Sequence, residues 1–222
     1  MLNHTILAVA FTVAATTAAA SEGTLTCEGA QQESKIEKSL MGQAPGGAKR
    51  VGPHVLEISV AGKVQRFIDK PPYRDLEGTR WFYCGYDARS RVHLLGKSVD
   101  ELSTGVILFE SNGRRRQAGH TVHLAAAGKR FLAVEQPNGL DGEMWTLYAN
   151  TGQKLWTGYA GFLERPAGAQ FDIVRAELVS PYWNSDASLS AHVLCSGSDT
   201  AKGKVTLQAT PGGMAWLPVP AC

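Results

Sequence analysis

The apolar positions of this chain fall in short runs broken by turn residues, and 24 Gly and 10 Pro supply most of the breaks. No helical period persists, apart from a weak segment at 31–41 where Ile36 and Leu40 share one side of a polar stretch. Short runs with this punctuation predict strands joined by tight turns, and an all-β fold. The runs also repeat. Residues 145–156 and 205–216 align without gaps, with Thr146 and Thr206, Leu147 and Leu207, Ala149 and Ala209, Gly152 and Gly212, and Trp156 and Trp216 in shared columns. Each copy reads as strand, turn, strand, with Asn150-Thr151-Gly152 and Thr210-Pro211-Gly212 as the turns. A fainter copy spans 106–117, turning at Asn112-Gly113, and a further hairpin spans 55–68, turning at Ala61-Gly62. Ahead of the first three copies stand similar inner strands: Val92-His93-Leu94, Val122-His123-Leu124 and His192-Val193-Leu194. A unit of inner strand, loop and outer hairpin therefore recurs.

The N-terminus is organised differently. An apolar, small-residue run from Ile6 to Ala14 leads to Ala18-Ala19-Ala20, which reads as a cleavable signal peptide over 1–20. The run is too short to span a bilayer and meets Glu22 at once. Its flank departs from the usual pattern in lacking Lys and Arg. Residues 21–50 are expected as a polar N-terminal segment with a short helix, and 51–222 as a single β domain of repeated hairpins. Export changes the reading of the cysteines, because an even number in an oxidising compartment predicts bridges. Cys27, Cys84, Cys195 and Cys222 allow three pairings; we favour Cys27 with Cys84 and Cys195 with Cys222. Without a C-x-x-C, neither a zinc ribbon nor a thioredoxin-like site is expected. The net charge of +2, from 22 basic and 20 acidic residues, calls for no anionic partner.

The run Val122-His123-Leu124-Ala125-Ala126-Ala127-Gly128-Lys129-Arg130-Phe131-Leu132-Ala133-Val134, followed by Trp145-Thr146-Leu147-Tyr148 and Gly152, resembles the β-propeller repeat of Tol-type periplasmic propellers. Those repeats place a Ser-Pro-Asp-Gly-Lys turn before a Leu-Ala strand and end a second hairpin in a Gly turn. The stretch from Ser180-Pro181-Tyr182-Trp183 to Asp186-Ala187 resembles the same turn. Ala125, Ala126 and Ala127 depart from Ser-Pro-Asp, and Ala187 from the turn glycine. The resemblance covers about half the chain after Ala20. It implies a small or incomplete propeller-like array, and an interaction scaffold. The residues alone leave a β-sandwich of the same hairpins open, since blades of about 40–45 residues give room for barely four.

Candidate chemistry is sparse. There is no G-x-S-x-G, and Ser196-Gly197-Ser198-Asp199 reads as a turn. His120 and His123 are three apart on a strand and point to opposite faces. His93, His123 and His192, by contrast, would line one channel if the inner strands converged, and they form the metal or catalytic candidate. The loop 135–143 carries oxygen-bearing Asn138, Asp141 and Glu143 among glycines, without calcium-loop spacing, and is the leading contact candidate. Arg114 and Arg116 are a second contact candidate, against an edge-strand role that discourages aggregation. Pro71-Pro72-Tyr73 reads as a rigid loop, and Trp81-Phe82-Tyr83 and Tyr182-Trp183 as core. The expected function is an exported, non-catalytic binding protein of the periplasm or extracellular space, of immunity or enzyme-inhibitor type. Its expected partner is another protein, with no cofactor, no nucleic acid and no stable membrane insertion. A secreted hydrolase or metal-dependent enzyme is the alternative.

Overall fold

The computed structural model describes residues 23–28, 34–73, 78–99, 102–136 and 142–222. The predicted leader and the contact candidates Asn138 and Asp141 lie outside them. Four antiparallel sheets account for almost all of the fold. The first is β2 (Ala48–Arg50), β3 (Val55–Val60) and β4 (Lys63–Ile68). The second is β5 (Thr79–Asp87), β6 (Val92–Val99), β7 (Leu102–Phe109) and β8 (Arg115–Ala118). The third has the order β1-β9-β10-β11-β12: β1 (Gly23–Thr26), β9 (Thr121–Leu124), β10 (Arg130–Glu135), β11 (Met144–Ala149) and β12 (Lys154–Tyr159). The fourth is β13 (Gly161–Glu164), β14 (Ile173–Ser185), β15 (Ser188–Cys195), β16 (Gly203–Thr210) and β17 (Gly213–Leu217). Among the described residues no helix is long and apolar enough to cross a membrane.

The expected hairpins are present. Ala61 and Gly62 both take positive φ, 49° and 72°, the backbone that a two-residue connection needs to match strand twist. Asn112 Oδ1 accepts from the Arg114 amide at 2.8 Å across the Gly113 turn. The two aligned repeats, β11–β12 and β16–β17, pack on each other, and the Trp156 and Trp216 of the shared column meet edge-on at 5.9 Å.

Alternation along the strands decides how the sheets are layered. In the second sheet Phe82, Leu94 and Ile107 enter one apolar cluster with Val122, Phe131 and Tyr148 of the third sheet. Their neighbours Tyr83, Leu95 and Leu108 enter another, with Leu56, Ile58 and Phe67 of the first. The third sheet repeats the pattern, turning Phe131 and Ala133 towards the second sheet and Leu132, Trp145 and Leu147 towards the fourth. The middle sheets thus bury both faces, which is why Leu94-Leu95 and Ile107-Leu108-Phe109 are continuous apolar runs. The end sheets alternate in residue type instead: in β3 the buried apolar Leu56, Ile58 and Val60 are spaced by Glu57, which is also buried, and Ser59, and in β15 the buried Ala191 and Val193 flank exposed His192. Among the described residues no apolar cluster joins the first sheet to the fourth, so the sheets form an open series of hairpin-built layers.

Both bridges follow the favoured pairing, Cys27–Cys84 and Cys195–Cys222. The first links β1 of the third sheet to β5 of the second. The segment 21–50 is more than a polar lead-in. It supplies β1 and β2 to two different sheets, and its helix α1 (Ser34–Gly42) packs on β5. The pin is Glu37, 7% exposed, which accepts from Arg50 Nη2 at 2.9 Å and from the Tyr83 amide at 2.8 Å.

Candidate functional site

The chain passes from the third sheet to the fourth at a single residue, Ala160, between β12 and β13. Its amide donates to Glu143 O at 2.8 Å and its carbonyl accepts from the Leu178 amide at 2.9 Å. Opposite this junction β14 breaks register between Val179 and Tyr182. Pro181 has no N–H for the ladder, and Ser180 takes a positive φ of 49°, so the strand bulges away. The gap is a cleft of about 520 Å³. Its walls include Thr121 and His123 of β9, Gln136, Glu143, Tyr159, Glu177 and the Ser180-Pro181 bulge.

The cleft is acidic. Glu143 is held by the Trp145 indole, whose Nε1 donates to Oε2 at 2.7 Å, and Glu177 is exposed at the rim. His123 lies near Thr24 Oγ1, 3.4 Å from Nδ1, and burial lowers its pKa, so its ring is neutral at pH 7. No Lys or Arg is among the described lining residues. Two carboxylates in a partly desolvated groove favour a cationic group.

Of the sequence candidates, Glu143 and His123 come together here. The three inner-strand histidines do not converge. Val92, Val122 and Val193 each point into an apolar layer, so the histidine beside each takes the other face of its sheet, and those faces open on three different places. His93 falls between the first and second sheets, His123 in the cleft between the third and fourth, and His192 on the outer face of the fourth, near Tyr182. Among the described residues no three His, Cys, Asp or Glu side chains form a metal-holding group. Arg116 stays exposed and also makes a contact across the sheets. Its Nε donates to Gly152 O of the third sheet at 3.3 Å, while Arg115 stacks 4.1 Å over Phe67 of the first, so β8 is clamped on both sides. Arg114 is exposed as well. Glu177 and Tyr159 were not singled out from sequence, and Ser180-Pro181 was read as part of a turn rather than as a site; a proline inside a strand run was the available signal.

His93 has a different consequence. It is 0% exposed, its Nδ1 is 2.8 Å from Tyr83 Oη, and its Nε2 is buried without a hydrogen-bond partner. Burial pulls its pKa from 6.5 down to about 4 against a smaller opposing pull from Glu110, which bonds Tyr86 Oη beside the ring. A histidine depressed in the fold takes up its proton in the unfolded chain first. Stability is therefore complete above about pH 6.5 and is lost as pH falls towards 4, by on the order of 3 kcal/mol. Chemical denaturation at a series of pH values should give this slope, and His93→Asn should flatten most of it, leaving a smaller part from His123. An unchanged slope in His93→Asn would locate the acid sensitivity elsewhere.

Compared with protein-family models, with curated proteins and with solved structures, the chain matches none of them.

Proposed function

We propose that this is an exported, non-catalytic binding protein that holds a partner protein by a basic side chain in the cleft between the third and fourth sheets. The observation that carries this reading is a groove with Glu143 and Glu177 in its walls and no cation among its described lining residues. Two disulfides fit an oxidising compartment. A Lys or Arg with its stem along Val134 and Val179 and its head between the carboxylates would satisfy both the apolar and the charged parts of the wall.

The test is capture from periplasmic and extracellular proteins by the purified oxidised chain, beside the Glu143→Gln/Glu177→Gln variant. Glutamine at 143 keeps an acceptor for the Trp145 indole, so the fold is retained. Charge-assisted hydrogen bonds contribute about 1.5–3 kcal/mol each, and the variant should bind at least ten-fold more weakly, with a flatter salt dependence. Equal capture by both proteins would remove the cleft from the interface.

A further inference from the structure

A second cavity, of about 680 Å³, opens inside the fourth sheet. β15 and β16 pair only as far as Ser190 and Thr206. Beyond that point each keeps its other neighbour: β15 stays on β14 to the pairing of Ser185 with Ser188, and β16 stays on β17 to the pairing of Thr210 with Gly213. The sheet therefore forks, with 188–189 on one side and 207–210 on the other. The cause lies in the turns. Arg130 of β10 donates from Nη1 to the Ala187 carbonyl at 3.2 Å, and the Ala127 amide donates to Asp186 Oδ1 at 2.7 Å, so the β14–β15 turn is drawn towards the third sheet. The β16–β17 turn is closed within its own hairpin, where Thr210 Oγ1 donates to Gly213 O at 2.8 Å.

Main-chain groups of 207–210 that face away from β17 have no ladder partner among the described strands, nor do those of 188–189 that face away from β14. Two such rows facing one gap suit an extended backbone laid between them. Leu207-Gln208-Ala209-Thr210 also carries none of the charges or prolines that blunt an edge. The floor of the fork selects the side chains. Leu155 of β12 and Met214 of β17 line it, packed on the apolar cluster that buries Leu207. Beside them stands Arg130, the one charged side chain among the described lining residues. It meets a carbonyl at Ala187, while the nearby carboxylate of Asp186 is engaged by the Ala127 amide. We propose that the fork receives an extended segment of a partner protein, which adds to β16 as a strand. An acidic side chain of that segment meets Arg130, and an apolar one two residues away, on the same face, covers Leu155 and Met214. The fork and the acidic cleft share no described lining residue, so either can fail without the other.

The test is a titration of the ¹⁵N-labelled oxidised protein with two capped peptides, acetyl-Thr-Glu-Thr-Leu-Thr-amide and acetyl-Thr-Leu-Thr-Glu-Thr-amide, which cover both strand directions. The amides of Gln208, Ala209 and Thr210 report the site. At least one peptide should shift them saturably, with a Kd on the order of 1 mM. Gln in place of its Glu should weaken binding about ten-fold, and in Arg130→Gln the two forms of the peptide should bind alike. Methylating the peptide's backbone nitrogens one at a time should abolish binding at alternate positions and spare the others, as strand pairing requires. No saturable shift at 208–210 with either peptide would overturn the proposal. Equal binding of the Glu and Gln forms to the unaltered protein would also overturn it, as would tolerance of methylation at every nitrogen.

Discussion

Replacing Cys27 and Cys84 together by alanine is expected to cost about 4 kcal/mol, the chain-entropy value for a bridge closing 57 residues. In a chain of this size that is a fall of about 10 °C in Tm. Both cysteines are 3% exposed, and β1 is a four-residue strand on the edge of the third sheet, so the bridge adds a covalent tie to the second beside the packing of Leu25. The bridge between Cys195 and Cys222 spans 27 residues and ends on an exposed residue. Its removal should cost less, about 3 kcal/mol, because the loop is shorter and Cys222 is exposed. Urea denaturation of the two double variants checks the order. Equal losses would mean that β1 is held by its pairing with β9 rather than by sulfur.

Trp145→Ala is expected to destabilise the protein by about 4 kcal/mol, as deleting a large buried aromatic does when its surroundings cannot collapse. Trp145 is 0% exposed and meets Trp216 at 5.7 Å, while its Nε1 holds Glu143 in the cleft. Trp145→Phe separates the two roles. It keeps most of the packing and loses the N–H, so it should cost about 1–2 kcal/mol in stability and release Glu143. Denaturation midpoints give the first effect and partner capture the second. A phenylalanine variant with full capture would show that Glu143 needs no orientation from the indole.

The hairpins were legible because their turns are local chemistry: Asn112-Gly113 and Ala61-Gly62 specify their backbone within two residues. The layering was harder to read, though its sign was there. Leu94-Leu95 and Phe131-Leu132-Ala133 are strands covered on both faces, whereas the end sheets alternate. β1 was not legible, since Gly23-Thr24-Leu25-Thr26 becomes a strand only by pairing with 121–124. The inner-strand histidines misled for a related reason. His93 and His123 sit in the same triplet, Val-His-Leu, but the triplet fixes only which neighbours oppose the ring. Which sheet covers that face is decided elsewhere in the chain, so one histidine became core and the other cleft wall. The same holds for the ion pair of Asp69 and Arg50, 19 positions apart by number and neighbours only once β2 and β4 flank β3.

The open series of layers also divides the molecule by what change it tolerates. The faces of the middle sheets are occupied by their neighbours, so an incoming molecule meets turns, strand edges, the seams between sheets and the two end faces. Exposed positions there that make no contact between sheets can change without disturbing the packed layers. New recognition properties can accordingly arise at the rim without renegotiating the core, and each seam can diversify separately from the next.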